Sequence, residues 1–249
     1  MRRLKCFPLA GLLLVLVGFT AVGAAQSGNF EIAQNGHAVG SASFQFSATT
    51  DGYESTSLVK VTMQGLDYAL SKNEQLSAGD QLKHAMLSAI VNGEAVSVVA
   101  APDAAQIVLN ISANGKSTTT RLAAHPGAVF LPDFDAGALQ TLLALAAAQN
   151  NRDLWVILPK EAGSIEPARL ATYPDQEGTL DGKPVTVHHL EAMIAGENTE
   201  LFAGPENQLL QAELPEGGFA LIRKGFQLKP PARPIVPIGE PGAPPAPTD

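Results

Sequence analysis

The side chains with the most chemical potential in this chain are an adjacent histidine pair, His188-His189, and two aspartates, Asp133 and Asp135, that flank Phe134. Two imidazoles can begin a metal site. Neighbouring residues on a strand point to opposite faces, however, and cannot share one ion without a bulge. Zinc needs three or four convergent ligands, and His37, His84 and His125 stand at no ligand spacing. The pattern predicts one imidazole in the sheet and one in solvent. Asp133 and Asp135 have the composition of a carboxylate pair for acid–base work, yet Asp135 reads as a helix N-cap and Asp133 as a loop residue. The chain has no Gly-x-Ser-x-Gly elbow, no Gly-x-x-x-x-Gly-Lys phosphate loop and no His-Glu-x-x-His helix. No catalytic residue, metal or cofactor is assigned, and the reading is non-enzymatic.

The elements that must position anything functional start after residue 25. Arg2, Arg3 and Lys5 precede an apolar run that ends in Gly23-Ala24-Ala25, the pattern of a signal peptide over 1–25 cleaved before Gln26. The alternative is an uncleaved anchor, because residues 6–25 carry no charge. Cleavage places the mature chain in the periplasm or outside the cell, with no membrane span. Cys6, the only cysteine, would leave with the leader, so stability must come from packing rather than disulfides. Losing three basic residues takes the formal charge from −8 to −11, which argues against nucleic acid and anionic membranes as partners.

Turn chemistry organises the rest. Asn35-Gly36, Asp51-Gly52, Asn92-Gly93, Asn114-Gly115 and Asp181-Gly182 each separate strand-like runs, and such pairs tolerate the positive φ of hairpin turns. Residues 178–228 read as four strands joined by three turns, the second and third at 204–207 and 215–218, and hence as a strictly antiparallel meander. Val59, Val61 and Met63 mark one strand face, and Ile107, Leu109 and Ile111 another. Residues 81–91 fit helical spacing through Leu82, Ala85, Met86, Ala89 and Ile90. They also fit a strand face through Leu82, His84, Met86, Ser88 and Ile90, and Asn92-Gly93 favours the strand.

One helix interrupts the strands at 135–149, capped by Asp135, with Phe134 and Leu139 at the positions of a hydrophobic staple and Asn150-Asn151 at its end. Trp155 to Leu158 reads as a buried strand. Pro159, Gly163, Pro167 and Pro174 restrict 159–177 to interrupted or edge strands. The domain is expected to span 29–228. A tail over 229–249, with eight prolines, should be extended and solvated.

The chain resembles a group of uncharacterised bacterial envelope proteins. The likeness rests on Gly36 and Gly40 before long strands, on Gly-Thr-Leu-Asp-Gly-Lys-Pro-Val at 178–185, and on the closing pair Gln208-Leu209-Leu210 and Phe219-Ala220-Leu221-Ile222. It implies a mainly β fold, a curved antiparallel half-barrel with one helix against its concave face, in the manner of the outer-membrane lipoprotein carriers. This chain departs from lipoproteins in lacking a lipid-attachment cysteine. The expected function is binding or carrying an apolar ligand such as a lipid, with Leu139, Leu142, Leu143 and Trp155 as lining candidates. The alternative is a structural or protein-interaction module whose partner is another envelope protein. N-terminal sequencing of exported protein should begin at Gln26; an intact Met1 in a membrane fraction would establish the anchor instead.

Overall fold

The computed structural model describes residues 25–150, 154–160 and 162–230. The expected signal peptide, Asn151 and nearly all of the Pro-rich tail lie outside the described residues. Along the chain come β1 (Ala25–Gln34), β2 (His37–Thr49), β3 (Gly52–Met63), β4 (Leu66–Ser77), β5 (Leu82–Val91), β6 (Glu94–Asp103), β7 (Gln106–Ala113) and β8 (Lys116–Ala123). They continue with β9 (Ala128–Phe130), helix α1 (Ala136–Gln149), β10 (Leu154–Leu158), β11 (Ser164–Leu180), β12 (Lys183–Ile194) and β13 (Glu197–Ala203). The chain then closes with β14 (Leu209–Leu214), β15 (Phe219–Arg223) and β16 (Phe226–Leu228).

The strands form one open, curved sheet. β1 lies at its centre, with β2 to β8 on one side and β15 back to β9 on the other. The seam between these wings is the antiparallel pair β1–β15, in register at Ile32 and Leu221. β16 folds back to pair with β11. The sheet is a half-barrel with α1 against its concave face. The 178–228 stretch is antiparallel throughout, whereas earlier in the chain β9 and β10, separated by α1, pair in parallel. A helical crossover is what permits such a pair.

Four of the five Asn-Gly and Asp-Gly turns have positive φ at both residues, the geometry that matches hairpin twist. At Asp51-Gly52 the pairing differs. Thr49 is opposite Gly52, so Thr50-Asp51 make the loop. Gly52 is required because a Cβ there would sit 2.0 Å from the Leu76 carbonyl oxygen. The 178–228 region contains more strands than its turn tetrads imply, since Ala195-Gly196 also turns with two positive φ values and Lys224-Gly225 precedes β16. Within the 159–177 segment, β11 runs as one long strand from Ser164, with its ladder interrupted by a bulge. Its prolines fit because Pro167 lies where only β10 is beside it, and Pro174 lies in the bulge between Tyr173 and Gln176.

Segment 81–91 is the strand β5. A register shift opposite Gln75 and Leu76 splits the proposed face: Leu82 points inward, then Ala85, Leu87 and Ala89 do, while Met86 and Ile90 point out. Inward residues from both wings, among them Phe30, Ile32, Val61, Leu109 and Leu201, form one continuous core with α1. Each fully buried side chain of this size contributes roughly 1.5–3 kcal/mol.

The helix starts where expected. Asp135 Oδ1 accepts from the Gly137 and Ala138 amides, and Asn150 ends α1 in the left-handed conformation. Phe134 packs edge-on against Phe219 and near Tyr68. Gly137 marks a close approach of the helix to the sheet, since a Cβ there would lie 2.3 Å from Ser57 Oγ and 2.8 Å from Ser55 Oγ. Gly137→Ala should therefore destabilise the protein despite alanine's better helix propensity. Urea denaturation that finds it more stable than the parent would contradict this close approach.

Candidate functional site

Under the helix N-terminus sits a buried ionic cluster that pattern reading did not find. Lys72 and Glu74 occupy alternate inward positions of β4, and both side chains are fully buried. Lys72 Nζ lies 2.7 Å from Asp135 Oδ2 and 3.1 Å from Glu74 Oε2, and it donates to the Phe130 carbonyl at 3.2 Å. Glu74 Oε1 accepts from the Phe130 amide, and Ser57 Oγ donates to Asp135 Oδ1 at 2.5 Å. The set of residues resembles catalytic machinery, but its electrostatics point elsewhere. Burial works against the Lys72 charge, yet Asp135 and Glu74 outweigh it and raise the ammonium pKa above its ordinary value. A lysine acting as a base needs the opposite shift. Burial first, then Asp133 and Asp135, push the Tyr68 hydroxyl far above the ordinary phenol range. The cluster holds the helix to the sheet.

Burial raises the Glu74 pKa more than Lys72 lowers it. Its contribution is therefore favourable below the unfolded value near 4.5 and is lost as pH rises through the higher folded value. Lys72→Met leaves two buried carboxylates without their cation and should cost about 3–5 kcal/mol at neutral pH. The deficit should shrink as pH falls toward 5. A deficit in denaturant midpoint that grows on acidification would contradict the assignment.

The histidines separate as their strand positions require. His189 is buried between the rings of Tyr173 and Phe202, and its Nε2 meets Glu200 Oε2 at 2.5 Å. His188 is on the other face, about half exposed, with Asp175 Oδ1 at 2.9 Å. Asp133 is a surface residue paired with Lys160 at 3.0 Å.

Leu139, Leu142 and Leu143 are at most 5% exposed and belong to the central core. Trp155 is partly buried and stacked on His125, with ring centroids 3.6 Å apart. An open trough of about 930 Å³ lies on the other face of the sheet, across β1 to β7. Its origin is a row of paired outward residues: Ser43, Leu58, Ser71, Ser88, Ser97 and Ser112 stand opposite one another on six successive strands. The adjacent row runs through Lys60, Ala69, Ile90 and Ala95. Small side chains make the floor, and Leu58 and Ile90 rise from it, 60% and 52% exposed.

Leu58 lies on the opposite face of β3 from Val59 and Val61. The serine pairs could have been found by counting outward from turns. From Asn92-Gly93, Ser88 falls opposite Ser97, and from Asn114-Gly115, Ser112 falls opposite Ser117. Because Leu58 and Ile90 face solvent, Leu58→Asp and Ile90→Asp should each shift stability by no more than about 0.5 kcal/mol. Leu142→Ala should cost about 2–5 kcal/mol. Thermal melts that reverse this order would reverse the assignment of faces.

No family model and no curated protein matches the sequence. Among solved structures, the chain is similar to a beta-barrel-like protein of domain of unknown function DUF1849 from Brucella abortus. That match has a TM-score of 0.52 at 12% identity and covers 84% of this chain and 98% of the other. The likeness supports the curved-sheet architecture that the envelope-protein resemblance implied.

Proposed function

We propose that this protein is a non-enzymatic, exported binding protein that holds an apolar ligand such as a lipid in the outer-face trough. The observation that carries the reading is the pairing of two exposed large apolar side chains, Leu58 and Ile90, with a floor of serine and alanine. An ordinary solvated strand face carries polar residues there, whereas a ligand site is concave and mostly apolar with a few placed polar groups. The volume of about 930 Å³ lies within the range of small-molecule sites. Among the described residues no helix is long and apolar enough to cross a membrane. A periplasmic or secreted location, which the signal-peptide pattern of residues 1–25 supports, belongs to the same proposal.

Solvent extraction and mass spectrometry of gently purified protein test it. The expected result is a reproducible apolar molecule near one per chain, lost from the Leu58→Asp, Ile90→Asp double variant. Absence of any ligand from the parent protein, or full retention by the folded variant, would overturn the trough as the site. The first outcome would favour the structural or protein-interaction alternative.

A further inference from the structure

The charges along the trough are unlike those of the whole chain. The protein carries 24 acidic residues against 16 basic ones, yet no Asp or Glu lines the trough, and its two charged lining residues are Lys60 and Lys224. Both are exposed, and neither makes an ion pair among the described residues. Their placement is one-sided. Lys224 follows β15, and its amide donates to the Asn29 carbonyl on β1. Lys60 projects from β3, in register with Ser41 of β2. Over β4 to β7 the lining is Ala69, Ser71, Ser88, Ile90 and their small neighbours, with no charge. Glu31 shares the register row of Lys60 two strands away but does not line the trough.

Resting on the apolar-ligand reading, we infer that the trough takes a single-chain amphiphile with an anionic head, a long-chain carboxylate. The head lies at the β1–β3 end and the alkyl chain runs across β4 to β7. Two unpaired ammonium groups supply charge-assisted hydrogen bonds to the two carboxylate oxygens. The Ser43 hydroxyl and the Asn29 side chain line the same end. The trough spans seven adjacent strands, and neighbouring strands are about 4.8 Å apart, so its length is on the order of 25–30 Å. Its floor is two outward rows wide, and such rows are separated by about 7 Å along a strand. That width fits one alkyl chain and not two side by side.

Displacement of the neutral fluorophore N-phenyl-1-naphthylamine by dodecanoate, below its micellar concentration, or by dodecanol, below its solubility limit, at pH 8 and low salt, separates the two layers of this reading. The two ligands share a chain and differ in head charge. Dodecanoate should bind about tenfold or more tightly than dodecanol, and added salt should narrow the difference. The Lys60→Gln, Lys224→Gln double variant should bind both like dodecanol, and its unchanged dodecanol affinity shows that the fold is intact. Equal binding of the two ligands by the parent protein, or a preference that survives in the double variant, overturns the anionic head and leaves the apolar site standing. Failure of both ligands to displace the fluorophore overturns the head and the site together.

Discussion

The structure depends on one buried ammonium group. Lys72 lies between Asp135 and Glu74 with its side chain sealed from water, and through them it ties β4, β9 and the start of α1 to one point. An open half-barrel has no hydrogen bonds across its mouth, so its curvature must be held from the concave side. Helix α1 does this as a strut. Its N-terminus is anchored to β3 and β4 through Ser57 and Lys72. Its middle is anchored to the other wing, where buried Gln140 donates to the Asn207 carbonyl and accepts from the Leu209 amide. Desolvating three charges opposes folding, and the cluster holds because each charge meets a partner.

The strut fills the concave face with Leu139, Leu142, Leu143 and the inward strand residues, and the open space lies on the outer face. The same alternation that sends Val59, Leu70 and Ala89 inward sends Leu58, Ser71 and Ser88 outward. One periodicity therefore makes both the core and the trough. The outer face differs from ordinary solvated sheet only in the size and polarity of a few side chains, which can change without disturbing the core.

Much of the fold was legible because its signals are local. Asn92-Gly93 and Asn114-Gly115 specify turns by backbone sterics alone, and Asp135 caps a helix through its own neighbouring amides. What escaped is non-local. Lys72 and Glu74 continue the inward alternation of Leu70, but charged residues at core positions make sense only once Asp135 and Phe130 are known to meet them. The parallel pairing of β9 and β10 is created by the crossover of α1 and leaves no turn signature. Pro167 and Pro174 argued against a continuous strand, and β11 accommodates them at a single-flanked stretch and a bulge. The candidate site was sought beneath the helix because an apolar helix suggests a cover. That Leu58 and Ile90 share an outer surface depends on the β4 register between them, where Ser71 stands opposite Leu58 and Ala69 opposite Ile90.

The most direct test of the account is a crystal structure of the protein with an alkyl ligand bound, either co-purified or added as dodecanol. The account predicts continuous ligand density on the outer face, in contact with Leu58 and Ile90 and lying over Ser71 and Ser88, with α1 unmoved and the Lys72–Asp135 contact intact. Density between α1 and the sheet, beneath Leu139, Leu142 and Leu143 or against Trp155, would contradict it.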